Sequence, residues 1–151
     1  MLSVRKATLA LALAGALGAA GCGSSGGGTL SKDDFVKQAD EICGKAAKDV
    51  EALGRPDTPD KIATAMPKAA GIFNSMLDEL AKLKGPSDIQ PDVDKLLAAG
   101  HKLADVMGQL GDAAKSTDVT KLTQLQTDLT TAATDAAAAS KKLGFANCGV
   151  S

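Results

Sequence analysis

Four stretches in which apolar residues recur every three or four positions, each closed by a glycine or proline break, constrain this chain more than any other feature. That spacing is the period of one face of an α-helix, and no stretch alternates apolar and polar residues long enough to read as a half-buried strand. The first stretch opens at Ser31, an N-cap residue with Asp34 at capping-box spacing. It runs Phe35, Ala39, Ile42, Ala46, Val50 and Leu53 before Gly54-Arg55-Pro56 stops it. The second has Thr58 as cap and Pro59 at the first helical position. Its stripe is Ile62, Met66, Ala69, Phe73, Met76, Leu80 and Leu83, closed by Gly85-Pro86. Pro67 lies inside it and is expected to kink or split the helix, because it lacks an N–H and crowds the preceding turn.

The third stretch starts at Pro91 and carries Val93, Leu96, Leu97, Gly100, Leu103, Met107 and Leu110. The fourth follows Ser116-Thr117-Asp118 and carries Leu122, Leu125, Leu129, Ala133, Ala136 and Leu143 before Gly144. Amphipathic helices joined by short turns pack most simply as an up-down-up-down bundle, so the fold class expected for residues 31–151 is an all-α four-helix bundle. In that topology the start of the first helix lies beside the end of the fourth and the turn at 85–90. The turns near 54–58 and 112–118 point the other way.

Composition agrees. Alanine is abundant, Trp and Tyr are absent, and Phe35, Phe73 and Phe145 are the only aromatic residues, which favours helices over strands. The same poverty removes the usual anchors of nucleic-acid stacking and of interface hot spots. Beyond residue 21 there are 15 basic and 18 acidic side chains with interspersed signs, a balance that argues against nucleic acid as a partner.

Ahead of the bundle, Arg5 and Lys6 precede a largely apolar run, Ala7–Ala20, too short to span a bilayer and suited to a signal h-region. The run closes in Ala19-Ala20-Gly21-Cys22, which resembles the lipobox of bacterial lipoproteins, with Ala19 where that family usually carries Leu. The resemblance implies that residues 1–21 are a signal peptide, that Cys22 receives a diacylglyceryl group and becomes the acylated N-terminus, and that the chain sits on the extracytoplasmic face of a membrane. Gly18-Ala19-Ala20 also offers the small-x-small cleavage site of an ordinary secretory signal. Gly23-Ser24-Ser25-Gly26-Gly27-Gly28-Thr29 carries no side chain able to bury surface, so residues 22–30 read as the lipidated cysteine and a flexible spacer spanning roughly 15–18 Å.

With Cys22 lipidated, Cys43 and Cys148 remain as an even pair in an oxidising setting, which favours a disulfide between them. Gly144 ends the fourth helix near the level of Phe35, and the tail Phe145-Ala146-Asn147-Cys148 is long enough to fold back along the first helix and reach Cys43. The Ala- and Asp-rich composition and this cysteine layout resemble small lipoproteins of high-GC bacteria, a likeness that implies no activity.

Candidate chemistry is sparse. His101, the only histidine, falls at the boundary of the third stripe near the expected level of Met76, an arrangement that could ligate haem iron; a partly exposed surface histidine is the plainer reading. Asp33/Asp34, Asp40/Glu41 and Asp92/Asp94 read as solvated, helix-capping charge and not as acid–base pairs. No motif for an activated nucleophile, a phosphate-cradling loop or a metal centre occurs, so no enzymatic activity and no resident cofactor or metal are expected. The alanine-rich end of the fourth helix is expected to face the first helix near Ala39 and Ala46. There it either packs closely or leaves an apolar pocket bounded by Ala39, Ile42, Ala46, Leu125, Leu129, Ala132, Ala133 and Ala136 that would suit a small apolar ligand. The reading that follows is a lipid-anchored interaction module of the cell envelope, held to the bilayer through Cys22 and docking an envelope protein. The alternative is a carrier or sensor for an apolar ligand or haem, and a filled interior would favour the module.

Overall fold

The computed structural model describes residues 28–148. The signal, Cys22 and most of the spacer lie outside the described residues.

Four helices follow in order: α1 (Lys32–Glu51), α2 (Pro59–Lys82), α3 (Gln90–Lys115) and α4 (Val119–Leu143), an all-α up-down-up-down bundle. The expected start signals hold. Ser31 Oγ accepts from the Asp34 N–H at 3.2 Å and donates to the Asp34 carboxylate at 2.6 Å. Thr58 and Asp118 cap α2 and α4 by accepting from Lys61 N–H and Lys121 N–H. α3 begins at Gln90, one residue before Pro91, and has no side-chain cap.

At one end, here the proximal end, Phe35, Leu80, Ile89, Val93, Leu143 and Phe145 form the larger core cluster. Phe35 and Phe145 stack obliquely with ring centroids 6.0 Å apart. Leu30 N–H donates to the Lys84 carbonyl at 2.7 Å, which ties the start of the folded domain to the α2–α3 turn. Lys142 Nζ donates to Asp92 at 2.7 Å across the same end. The distal cluster is smaller: Val106, Ala113 and Leu125, with Leu110, Leu122 and Leu129 packed against them.

Pro67 does not split α2, which is continuous from Pro59 to Lys82. The carbonyl its ring leaves without a donor is that of Ala63, one turn earlier. Both face Gly111 of α3: a Cβ built there would lie 2.7 Å from Pro67 Cδ and Cγ and 3.5 Å from the Ala63 carbonyl oxygen. The rigid ring occupies a notch that only glycine leaves open. Gly111→Ala is therefore expected to destabilise the fold by about 1–2 kcal/mol in denaturant titration, overpacking outweighing the gain in helix propensity of about 1 kcal/mol. A variant more stable than the parent would remove this account of Pro67.

Two stripes differ from expectation. Leu77 is buried at 1% exposure although it stands one position off the α2 series, and Phe73 and Met76 are only half-buried. In α4 the inward series runs Leu125, Ala132, Ala136, Ser140 and Leu143, passing through a serine.

Candidate functional site

The feature that organises the molecule's chemistry is the end of the chain. Gly144 adopts φ 87°, a left-handed conformation that glycine takes without a Cβ penalty. It ends α4, and Phe145 N–H turns back to the Ser140 carbonyl at 3.1 Å. The chain then runs back toward α1. Ala146 N–H and Asn147 N–H both donate to the Asp40 carboxylate, the first at 2.9 and 3.1 Å to its two oxygens and the second at 2.7 Å. Buried Ser140 donates from Oγ to the Cys148 carbonyl at 3.0 Å. Cys148 is joined to Cys43 of α1 by a disulfide, with Cα atoms 5.0 Å apart.

This tail takes the place expected for α4. The α2–α3 and α3–α4 pairs pack closely along their lengths, α1 approaches α2 over a shorter stretch, and α1 and α4 do not pack side by side. The expectation that the α4 alanines face Ala39 and Ala46 holds only at the proximal end, where Ala139 packs against the cluster that contains Ala39 and Cys43. Part of the run faces α3: Ala138 and Ala139 floor an open groove with Ala98 and Ala99, rimmed by Asp92, Lys95, Lys102, Asp135 and Lys142.

The eight residues expected to bound one apolar pocket are dispersed. Ala39 is fully buried in the proximal core. Ile42 and Ala46 line an open groove of about 610 Å³ between α1 and α2. Leu125 and Leu129 belong to the distal cluster. Ala132 and Ala136 are buried, and Ala133 is half-buried. The physical reason is that α1 and α4 make little direct contact and are joined mainly through the tail. A partly open void among the described residues, bounded by Cys43, Leu77, Leu96, Gly100, Leu103 and Ala136 among others, measures about 20 Å³. That is room for about one water molecule, with apolar walls that offer it no partners.

His101 and Met76 are not brought together. His101 is exposed, with Nδ1 3.2 Å from Asn74 Oδ1 on α2. Met76 lies two residues further on, about 200° around the helix, and borders the groove against α1. Among the described residues no group of three or more His, Cys, Asp or Glu side chains could hold a metal ion. No described helix is long and apolar enough to cross a membrane.

Sequence reasoning missed two participants, Asp40 and Ser140. Asp40 read as a solvated helix charge, and its task is visible only once the tail lies beside it. Ser140 carried no assigned role, since nothing in the alanine-rich stretch around it marks one serine as buried.

A second cleft, of about 490 Å³, runs along the other side of α1 and is lined by Cys43, Val50, Phe73, Met76, Asn147 and Cys148, among others. At the distal end, Leu53, Arg55, Pro56, Lys61 and Lys68 surround a further cleft of about 360 Å³. Val119, at the distal start of α4, is 72% exposed and is the large hydrophobic residue left open among those described.

No protein-family profile, curated protein or solved structure matches this chain.

Proposed function

We propose that the protein is a lipid-anchored, non-enzymatic docking module of the cell envelope, tethered through Cys22 and presenting its distal turns to a protein partner. The observation that carries this reading is the polarity of the bundle. The folded domain begins at the proximal end, where Leu30 is bonded to Lys84. The segment from Cys22 to the first helix has the composition of a flexible leash. Helices of 24 to 26 residues then hold the opposite turns roughly 36–39 Å away from that attachment. The exposed Val119 and the cleft lined by Arg55, Asp60, Lys61 and Lys68 both belong to that far end. The filled interior supports a docking module over a carrier, since a void of about 20 Å³ admits neither haem nor an acyl chain.

Two arms test the proposal in the producing cell. The full chain is expected to fractionate with membranes and to incorporate a clickable fatty-acid analogue, and Cys22→Ala is expected to lose both. A Cys22→Ala protein still labelled and membrane-bound would refute the anchor. A photo-crosslinking residue in place of Val119 is expected to give a discrete adduct with one envelope protein that the same probe in place of Lys37, near the proximal end, does not give. Adducts equally abundant at both positions would refute distal docking.

A further inference from the structure

We propose that the Cys43–Cys148 disulfide is a thiol-sensitive latch holding the second half of α1, and that its reduction frees this half-helix and the tail while α2, α3 and α4 stay folded together. The inference goes beyond the docking proposal and does not depend on the anchor.

Little else holds this part of α1. Within the helix, Phe35, Ala39 and Cys43 are buried, and after Cys43 only Ala46 is. Open space flanks the half-helix on both sides: the groove of about 610 Å³ against α2 and the cleft of about 490 Å³ toward the tail. A Cβ placed on Gly44, or on Gly71 of α2, would meet nothing within 4 Å. Protein segments with few buried apolar contacts open locally at lower free energy than the core. The restraints converge on one level of the helix: the disulfide at Cys43, the two tail N–H groups on Asp40, and Ser140 holding the Cys148 carbonyl.

The bond is also within reach of a reductant. Cys43 is buried, but Cys148 is half-buried, and both line the open cleft. A thiolate of a dithiol entering there bonds to Cys148 Sγ, and Cys43 Sγ leaves as a thiolate that takes up a proton. The second thiol of the reagent, deprotonated, then attacks its own sulfur in the mixed disulfide and releases Cys148 as a thiolate, also protonated by solvent. The protein gains two electrons and two protons, and the dithiol departs as its disulfide. The tail is then held by Asp40, by Ser140 and by the burial of Phe145 against Phe35. Opening of the half-helix bares Ile42, Val50, Phe73 and Met76, an apolar face the latched form keeps half-covered.

Hydrogen exchange read by mass spectrometry, on the full chain with and without dithiothreitol, tests this. In the reduced chain, the ratio of protection in the α2–α4 core to protection in residues 44–53 and 145–148 is expected to rise roughly tenfold or more. An unchanged ratio overturns the proposal, whether all segments loosen together or none does. So does a bond that dithiothreitol reaches only in denaturant. Asp40→Asn, with the disulfide intact, weakens the charge-assisted hold on the tail and is expected to speed reduction of the native chain roughly threefold or more. An unchanged rate overturns the part assigned to Asp40.

Discussion

Cys148→Ser is expected to lower the stability of the domain by about 2–5 kcal/mol, and its melting temperature by roughly 10–20 °C, while the helix content of the native state falls by no more than the second half of α1. The bond joins residues 105 apart in sequence. Cutting it restores to the unfolded chain the freedom of a loop that takes in most of the domain, and the chain-entropy model assigns such a loop about 4–5 kcal/mol. Few other contacts could substitute. α1 does not lie along α4, and the seam between them is held through the tail. Serine at position 148 is the informative replacement because it leaves Cys43, the buried partner, as a small apolar side chain in the core. Urea titration of oxidised parent and variant gives the difference directly. A loss below about 1 kcal/mol would mean that the noncovalent contacts of the tail suffice, against the loop arithmetic.

Phe35→Ala is the second large effect, with an expected loss of about 3–5 kcal/mol. Phe35 is 1% exposed and lies where α1, the α2–α3 turn and the tail meet. A Cβ on Gly85 would come within 3.0 Å of its ring, so the turn is already packed onto it and has little slack to collapse into the space an alanine leaves. The oblique stack with Phe145 is lost as well, which couples the variant to the tail. In a double-mutant cycle, Phe35→Ala and Phe145→Ala are therefore expected to be non-additive by about 0.5–1.5 kcal/mol. Strict additivity would show that the two rings stabilise the proximal core independently. The same titration with Phe73→Ala is a useful contrast, because Phe73 is only half-buried and borders an open cleft.

The helices were legible because their signals are local. Ser31, Thr58 and Asp118 each accept from a backbone N–H three residues on, a preference that needs no tertiary context. The pairing of Cys43 with Cys148 was legible for a different reason: a glycine stop and a short tail bound how far the last residues can travel. The lateral arrangement was not legible. Nothing in the α4 alanines says whether they meet α1 or α3, because small residues permit close approach by any neighbour. The link from α4 back to α1 runs through the tail, whose backbone N–H groups bond to Asp40, and no local signal marks that pairing. Leu77 went unread for a related reason: a helix with neighbours on two sides buries a wider arc than one stripe describes, and Gly100 of α3 makes room for it. The pocket expected between α1 and α4 rested on those two helices being neighbours, and it dissolves with that premise.

The staple has a topological consequence. Residues 43 to 148 form a covalent ring, and every turn between helices, at 52–58, 83–89 and 116–118, lies inside it. Exposed loop tips are where proteases nick folded domains first. A single cut in any of these three turns opens the ring but releases no fragment, because both new pieces remain joined through sulfur. A chain held at its first residues would thus keep every helix in place after such a wound, and would shed material only when the bond itself was reduced.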